Sequence, residues 1–567
     1  MEEMMSILIW LTVICLSSFC IHVYNILWMR PERLREKLRR QGIKGPPPSF
    51  LTGNVWEMKK IKSDLMAMKP SNEAVAGFPT ANYSPFIFPY FEQWRQKYGP
   101  TYMYATGNVQ NLYVTDPDLV KEICLFKSWD LGKPQYLIAQ LKPLLGLGVI
   151  RANGQIWAHQ RKIIAPQFFI DKLKGMVEIM VESALRMVKS WEDKVEKEGG
   201  KADIRVDEDL INFSADAISK ACFKSTYSEG TNVFELIRLL ERAISRTNII
   251  IQLPIIRYLP TKTNREVWRL EKEIEKLILK QVAGGRERSD DEKDLLPIIL
   301  EGALAEQLGE ETANRFVVDN CKNIYIAGHE TVSSVATWTL MLLAAFPEWQ
   351  ARARAEVISI FHGQPPDADS LHKLKTLTMV IQEAMRLYPP TSFIAREALE
   401  DLKLGDIYIP KGVNLWIPTT TLHRLPELWG EDVDEFKPER FAHGIYGSCK
   451  FPQAYLPFGN GPRSCLGQKF AMMELKLTMM IQETMRLYPP TPFIAREAFE
   501  DIKIGVICIP KGVNLWIPIT TLLHQLPEVW GEDAGEFKPE RFAHGILWCL
   551  QVSTGLYTFG TGPRSCF

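Results

Sequence analysis

The ten residues from Phe458 to Gly467 restrict the fold more than any other stretch, because they combine turn-forming glycines with one cysteine. Gly461 allows a tight turn, Arg463 adds a fixed positive charge, and Gly467 precedes an apolar helical pattern. Cys465 is therefore expected at a helix N-terminus, where the helix dipole favours a thiolate. A single thiolate below the ring of Phe458, without Cys or His partners at zinc spacing, favours axial ligation of haem iron over zinc or an iron-sulfur cluster.

These positions make the chain resemble the cytochrome P450 superfamily, whose haem loop is matched at Phe458, Gly461, Arg463, Cys465 and Gly467. The resemblance implies a mainly α fold with small β-sheets and a long central helix. It also implies one haem b (iron protoporphyrin IX), with Cys465 as the metal ligand and with Phe458, Arg463 and Gly467 contacting the cofactor. A free structural cysteine in a turn is the competing interpretation.

Composition narrows the class of protein. The 567 residues contain no Ser/Gly linker and no low-complexity tract, which favours one large domain. Lys plus Arg and Asp plus Glu are balanced at 67 each, so no overall charge points to nucleic acid, and no nucleic-acid partner is expected. Ten scattered cysteines indicate reduced thiols in a cytosol-facing protein.

Residues 1–29 are predicted to form one N-terminal transmembrane anchor, because Ile7 to Trp28 is mostly apolar and long enough to cross a bilayer. Arginines and lysines follow this run, so the positive-inside rule places the rest of the chain in the cytosol. A cleaved signal peptide is the competing interpretation. Gly45 to Pro48 predicts a stiff extended spacer after the anchor. The resemblance to microsomal P450s implies a single-pass protein of the endoplasmic reticulum membrane.

A helix is predicted after the Asn153-Gly154 turn, with Trp157 and Arg161 on one face because they are four residues apart. The resemblance implies that both side chains contact haem propionates. Arg396, in an extended stretch, matches the family's second propionate-binding arginine. The competing interpretation of the Trp157 and Arg161 pair is a surface arginine over a half-buried tryptophan.

Phe316 to Phe346 predicts a long helix inside a soluble core, since its charged and polar residues would be costly in lipid. Small Ala327 and Gly328 at its centre would let a flat ligand approach. The adjacent Glu330 and Thr331 can relay protons to bound dioxygen. The segment resembles the oxygen-activation turn of the superfamily, which makes Thr331 and Glu330 the candidate catalytic residues and Ala327 a cofactor contact. A packing glycine beside a solvated glutamate is the alternative.

Three further charged residues match the family's buried network: Glu383 and Arg386 on one helix, and Arg440 in a Pro-Glu-Arg-Phe box. We assign this network to folding and to positioning of the haem loop, not to chemistry.

The C-terminal part of the chain is a partial repeat, in which residues 481–567 copy residues 381–466. The second copy ends one residue after Cys566, without the glycine and helix that follow Cys465. It also lacks an oxygen-activation helix of its own. Cys465 is therefore the expected ligand. The repeat suggests fusion of two tandem gene copies, or a gene model that joins them, and it replaces the C-terminal strands that close the substrate pocket in the family.

Residues 30–480 are thus predicted to form a P450 catalytic domain. The Gly-Ile-Lys-Gly-Pro-Pro-Pro-Ser-Phe opening and the Ala-Gly-His-Glu-Thr segment resemble the plant clan that includes the gibberellin-oxidising subfamily. The resemblance implies a haem-thiolate monooxygenase that hydroxylates or epoxidises an apolar small molecule, with a gibberellin or related terpenoid as candidate. Dioxygen and electrons from NADPH-cytochrome P450 reductase would be required. Two alternatives stay open: a haem-thiolate isomerase or dehydratase, and a non-catalytic fusion product with a defective pocket.

Overall fold

The computed structural model describes most of the chain between residues 2 and 518. The described residues are 2–67, 80, 82–198, 202–223, 227–245, 259–286, 295–305, 310–362, 365–487, 493–497, 502–504, 507–509 and 514–518. Helices dominate and the sheets are small, which confirms the predicted fold class. Cys566 and the second Pro-Glu-Arg-Phe box lie outside the described residues.

The chain divides into two compact units, and each is described by itself. The first contains Met1–Ala165, Asn232–Ile326 and Met385–Leu466. The second contains Pro166–Thr231, Ala327–Ala384 and Gly467–Phe567. Neither unit is one continuous segment of the chain.

A five-stranded sheet organises the first unit, in the order β1-β2-β7-β4-β3. Its strands are β1 (Thr101–Thr106), β2 (Val109–Val114), β3 (Leu131–Gly132), β4 (Phe393–Ala398) and β7 (Asn414–Pro418). β1 and β2 form an antiparallel hairpin, and β2 pairs with β7 in parallel. β5 (Leu402–Leu404) and β6 (Ile407–Ile409) form a separate hairpin. Aromatic side chains on β1 and β2 pack with Phe91 and Trp94 into a buried cluster.

The first unit also contains many helices. Those lying wholly within the first unit are Glu2–Tyr24, Arg30–Arg39, Val55–Ala67, Ser84–Ile87, Pro89–Tyr98, Pro117–Leu125, Gln135–Gln140, Lys142–Leu145, Gly154–Ile164, Lys262–Arg286, Leu295–Ala305, Thr419–Leu422 and Pro426–Trp429. Asp116 caps one of them by accepting a hydrogen bond from the Leu119 amide, with Pro117 at the first helical position.

The described residues contain one helix, Met5–Arg39, that is long and apolar enough to cross a membrane. A π-helical turn, Asn25–Met29, separates its apolar part from the basic part. The predicted proline spacer is not free, because the Lys44 carbonyl accepts a hydrogen bond from the Met103 amide of β1 at 2.9 Å. The segment after this helix is therefore attached to the sheet.

The second unit is mainly helical. Its complete helices are Ile170–Lys174, Val177–Lys197, Val206–Phe223, Pro347–Phe361, Ala368–Leu371 and Gln468–Leu487. Tyr227–Ser245, Glu310–Ala345 and Lys375–Leu387 each begin in one unit and end in the other.

Glu310–Ala345 is the predicted central helix, and it begins six residues earlier than expected. Its polar residues in the first unit bind the backbone of the loop after Lys142–Leu145. Asp319 accepts from the Leu147 amide at 2.7 Å, Asn320 from Val149 at 3.0 Å and Asn323 from Ile150 at 2.9 Å. These polar side chains, which would be costly in lipid, thus satisfy the backbone amides of a loop inside the protein.

The second copy repeats the strand pattern of the first at an offset of 100 residues: β8 is Phe493–Glu497, β9 Ile502–Ile504, β10 Ile507–Ile509 and β11 Asn514–Pro518. β11 pairs with β8 in the register Asn514↔Glu497, and β7 pairs with β4 in the register Asn414↔Glu397. The repeated sequence therefore forms the same local strand pairs twice.

Candidate active site

The loop that carries Cys465 is a compact turn built on two glycines. Gly459 and Gly461 have φ values of +66° and +71°, a region that glycine enters without steric cost. The Cys465 amide donates to the Phe458 carbonyl at 2.8 Å. The Cys465 side chain is exposed. The loop thus presents its cysteine at the turn, and the following helix begins at Gln468 as predicted.

Gly461 is also required by close packing. A Cβ at this position would lie 2.2 Å from the carbonyl oxygen of Cys124, at the end of the helix Pro117–Leu125. Only glycine fits such an approach, so the residue serves both the turn and the seating of the loop.

Trp157 and Arg161 lie on one face of the helix Gly154–Ile164, as predicted, and both reach the cysteine loop. Arg161 donates to the Ser464 carbonyl at 2.9 Å. The Trp157 ring centroid is 5.7 Å from the Arg161 guanidinium carbon and 4.3 Å from that of Arg463. The tryptophan therefore packs against both cations.

Arg463 itself is held by the turn that precedes this helix. Its guanidinium donates to the Ala152 carbonyl at 3.0 Å and to the Asn153 side chain at 3.1 Å. Asn153 also accepts from the Lys133 amide at 2.7 Å. One asparagine thus links the loop arginine to the end of β3.

Four cations gather in this part of the first unit: Lys133, Arg161, Arg396 and Arg463. Burial, then Arg396 and Arg463, hold the pKa of Lys133 well below its ordinary value. Burial, then Arg396 and Arg161, lower the pKa of Arg463 to about 10. Burial also lowers the pKa of Arg396, which is 6% exposed. Neighbouring arginines thus lower the pKa values of Lys133 and Arg463, and such a group of cations attracts anions.

This donor set fits haem. A thiolate is suited to the iron, and a haem carries two propionates, which cationic side chains bind by charge-assisted hydrogen bonds. The predicted cofactor-binding residues of the first unit, Trp157, Arg161, Arg396 and Arg463, therefore come together around the Phe458 to Cys465 loop.

Sequence reasoning missed Lys133 and Asn153, although both belong to this cluster. Neither residue stands in a periodic pattern or at a diagnostic spacing. The Asn153-Gly154 pair predicts a turn but not a partner for Arg463. Their roles come from the β3–β4 pairing, in which Gly132 stands opposite Glu397.

The predicted charge network binds backbone carbonyls that precede the haem loop. Arg386 donates to the carbonyls of His423 at 3.0 Å, Val433 at 2.7 Å and Glu435 at 3.1 Å. Arg440 donates to the Trp429 carbonyl at 2.9 Å and pairs with Asp432 at 2.8 Å. Glu383 is fully buried.

His423 connects this network to the haem loop, and sequence reasoning did not identify it. Its Nε2 accepts from the Leu456 amide at 2.9 Å. Burial, then Arg386, lower the pKa of His423 to about 3, so the ring is neutral and its Nε2 remains an acceptor. Arg386 binds the backbone carbonyl of His423, and the Leu456 amide binds its imidazole ring. His423 therefore connects the arginine to the segment that leads into the haem loop.

The candidate catalytic residues lie in the second unit, on one face of the central helix. Ala327 and Glu330 are exposed and Thr331 is partly exposed, whereas Val332, Ser333 and their neighbours on the other faces are buried. The Thr331 hydroxyl donates to the Ala327 carbonyl at 2.8 Å. The helix therefore has an accessible face made of one small and two polar side chains.

Gly328 has a packing role. A Cβ at Gly328 would lie 2.7 Å from Cγ1 of Ile218, so this glycine allows two helices of the second unit to pack closely. This contact agrees with the alternative of a packing glycine, whereas the approach of a flat ligand to Ala327 and Gly328 stays a prediction.

Comparison with known proteins identifies the family. The family model "Cytochrome P450" matches residues 78–480 and again residues 477–567. Cytochrome P450 714C2 of Oryza sativa subsp. japonica is 51% identical over 475 residues, which cover 83% of this chain and 90% of that protein. Cytochrome P450 714B3 of Zea mays is 46% identical over 484 residues (84% and 90%), and Cytochrome P450 714A2 of Arabidopsis thaliana is 44% identical over 486 residues (83% and 91%).

Two matches of one family model to a single chain show that its C-terminal segment is duplicated. Together with the mainly helical fold and the apolar N-terminal helix, they establish that this chain belongs to the cytochrome P450 family of haem-binding monooxygenases.

Proposed function

We propose that Cys465 is the axial ligand of haem b in this monooxygenase, and that its substrate is an apolar small molecule of the gibberellin or related terpenoid class. The observation that carries the ligand assignment is the cation cluster around the cysteine loop. Arg161 and Arg463 bind the loop and the turn beside it at 2.9 to 3.1 Å. When bound, haem supplies the activation of dioxygen.

Arg161, Arg396, Arg463 and Lys133 would hold the cofactor by its propionates. The lowered pKa values of Lys133 and Arg463 support this role, because a nearby carboxylate would favour their charged forms. Trp157 packs against the guanidinium groups of Arg161 and Arg463. These residues bind and orient, and they take no part in proton transfer.

Thr331 and Glu330 would deliver protons. The Thr331 hydroxyl is held by the Ala327 carbonyl, which fixes the direction of its oxygen. The Glu330 carboxylate is half exposed and can exchange protons with water. Adjacent on one accessible helix face, the acid and the alcohol form a short relay of the kind used in general acid catalysis.

The terpenoid class rests on the resemblance to the gibberellin-oxidising subfamily and on the plant relatives. NADPH-cytochrome P450 reductase is the proposed electron donor. The anchor followed by basic residues supports a single-pass location in the endoplasmic reticulum membrane, with the catalytic part in the cytosol. An isomerase or dehydratase would have no use for the Glu330 and Thr331 relay, so we favour the monooxygenase.

The test begins with the carbon monoxide spectrum of the reduced full-length chain, in which a thiolate ligand produces a strongly red-shifted Soret band. The chain is then incubated with reductase, NADPH and ¹⁸O₂ against a panel of gibberellins, other diterpenoids and unrelated apolar compounds. We expect one ¹⁸O atom in a diterpenoid product. A product formed without ¹⁸O would favour the isomerase or dehydratase, and a haem-loaded chain that oxidises only non-terpenoid compounds would overturn the substrate class.

A further inference from the structure

A cavity of about 360 Å³ lies where the chain leaves the candidate membrane anchor. Arg35 and Arg39 line it from the basic helix, Lys44 and the prolines after it form a second wall, and Met103 and Tyr104 of β1 form the third. This volume lies in the range of roughly 300 to 1,000 Å³ that is typical of small-molecule sites.

The prolines explain why the cavity exists. Lys44 pairs with Met103, and a Cβ on Gly45 would lie 1.8 Å from the Met103 carbonyl oxygen, so the chain touches β1 at this point. Pro46, Pro47 and Pro48 have no N–H to donate, so the pairing with β1 does not continue along them. The segment is attached again by Asn54.

Asn54 makes the second attachment through three hydrogen bonds. Its amide donates to the Ala105 carbonyl at 2.7 Å, its side-chain oxygen accepts from the Ala105 amide at 2.9 Å, and its side-chain nitrogen donates to the Pro47 carbonyl at 3.1 Å. The prolines therefore form an arch that is fixed at both ends, and the cavity beneath it has a defined shape.

The walls of the cavity combine apolar and cationic groups. Pro46 and Met103 are buried. Arg35 is buried and donates to Gln110 at 3.1 Å. Arg39 is 43% exposed and forms ion pairs with the partly exposed carboxylates of Glu32 and Glu36. Exposed pairs of this kind contribute little, so a phosphate could replace these partners at small cost.

Charge and position both point to lipid. Residues 30–44 contain seven Lys or Arg and two Glu, a net charge of +5, directly after the apolar helix. The Arg35 guanidinium carbon lies 5.0 Å from the Trp28 ring, and Trp28 packs on Phe50 at 5.5 Å between ring centroids. Phe50 is 52% exposed. Aromatic rings beside cations at the end of an apolar helix are typical of the bilayer surface, where anionic lipids concentrate near basic segments.

We propose that this cavity binds an anionic phospholipid of the bilayer that the anchor enters. Part of an acyl chain occupies the space between the prolines and β1, and the phosphate lies against Arg39 and Lys44. The inference rests on the proposed membrane anchorage and assigns a lipid site to the segment that joins the anchor to the catalytic part.

The test uses the full-length, haem-loaded chain in phosphatidylcholine nanodiscs that contain a small share of phosphatidylserine with a photoactivatable diazirine in its acyl chain. Labelled peptides are identified by mass spectrometry.

Arg39→Gln combined with Lys44→Gln removes the two proposed phosphate contacts. Lys37→Gln combined with Arg40→Gln is the matched control, because it removes the same charge from residues that do not line the cavity. The carbon monoxide spectrum verifies that both variants fold.

We expect label on the peptides that contain Pro46 to Pro48 and Met103 to Ala105. This label should fall about tenfold in Arg39→Gln/Lys44→Gln and remain unchanged in the control. A photoactivatable phosphatidylcholine should label the cavity about tenfold less than phosphatidylserine. The proposal would be overturned if the cavity were labelled equally in the two double variants. It would also be overturned if phosphatidylserine and phosphatidylcholine labelled the cavity equally. In either case, label on residues 5–24 would still support the membrane anchor. Absence of label on residues 5–24 would overturn the anchorage itself, and the lipid site with it.

Discussion

At the scale of single residues, two cysteines stand in copies of the haem-loop sequence, Cys465 in the first and Cys566 in the second. Cys465 follows a glycine-based turn, is bordered by Arg463 and by the carbonyl that Arg161 binds, and precedes the helix that begins at Gln468. Cys566 lies outside the described residues. A thiolate is stabilised by neighbouring cations and by a helix N-terminus.

Cys465→Ser should therefore abolish the red-shifted Soret band of the reduced carbon monoxide complex. Cys566→Ser should leave it unchanged. The measurement is the difference spectrum of each variant, normalised to total haem. Loss of the band in Cys566→Ser alone would reverse the assignment of the ligand.

Thr331→Ala should keep haem and substrate binding but divert electrons into hydrogen peroxide, because proton delivery is the step that its hydroxyl would serve. Coupling is measured as product formed per NADPH consumed, and we expect it to fall by about tenfold or more. Thr339→Val is the matched control, since Thr339 is a buried threonine of the same helix that donates to the Val335 carbonyl at 2.7 Å. If coupling is unchanged in Thr331→Ala, the Thr331 hydroxyl does not deliver protons and the residue serves only in packing.

Lys133 predicts a pH dependence of stability in the haem-free protein. Its pKa in the folded chain lies well below the ordinary value, so in the alkaline range between the two values the unfolded chain binds more protons. The free energy of unfolding should therefore rise with pH across this range. Bound propionates would raise the pKa of Lys133 and flatten the dependence, by about 1.4 kcal/mol for each pKa unit restored.

Urea unfolding at a series of alkaline pH values measures this effect. Lys133→Met should flatten the pH dependence of the haem-free protein, whereas Lys162→Met, at an exposed position, should not. A slope that is the same in Lys133→Met and in the parent chain would show that other groups cause it.

At the scale of elements, the central helix does more than carry the proposed proton relay. Asp319, Asn320 and Asn323 bind four backbone groups of the loop that leads to Ala152 and Asn153, the acceptors of Arg463. Gly146 is required in this loop, because its φ is +55° and a Cβ would lie 1.7 Å from a carboxylate oxygen of Asp319. The helix thus positions the turn that holds the haem-loop arginine.

Asn323→Leu tests this connection. The change leaves the Ile150 amide and the Leu145 carbonyl without their side-chain partners, at about 1 to 3 kcal/mol for each buried group. We expect the free energy of unfolding to fall by about 2 to 6 kcal/mol and haem to dissociate faster. Thr312→Ala, at an exposed position near the start of the same helix, should change neither quantity. If Asn323→Leu is destabilised but its haem dissociation rate is unchanged, the loop does not contribute to haem binding.

At the scale of the whole molecule, the duplicated segment is the main departure from the family. Its strands β8 to β11 form the local pairs of β4 to β7. In the first copy, β7 also pairs with β2 and β4 with β3, which places that copy inside a five-stranded sheet. Among the described residues, the strands of the second copy pair only with one another, in two-stranded sheets. The second copy therefore repeats local structure without the sheet that the first copy joins.

Deleting residues 481–567 should leave haem incorporation no worse and improve solubility, because the apolar residues of the second copy would lack the partners that cover them in a complete P450. Haem content per protein and the monomer fraction in detergent measure the two effects. Grafting a complete P450 C-terminal segment after Met480 should in addition restore substrate binding. Loss of haem in the deletion would mean that the second copy belongs to the working core.

The sequence by itself determined the family, the haem loop, the candidate membrane-spanning helix, the central helix and the repeat, because each depends on neighbouring residues or on fixed spacing along the chain. Local patterns of this kind follow from backbone sterics and helical periodicity. Only the tertiary structure decided that Lys133, Asn153 and His423 belong to the site, that Gly328 packs against Ile218, and that the prolines after the anchor arch over a cavity. These contacts join residues far apart in the chain, so they depend on which strands pair and on how closely backbones approach, and no local pattern records either.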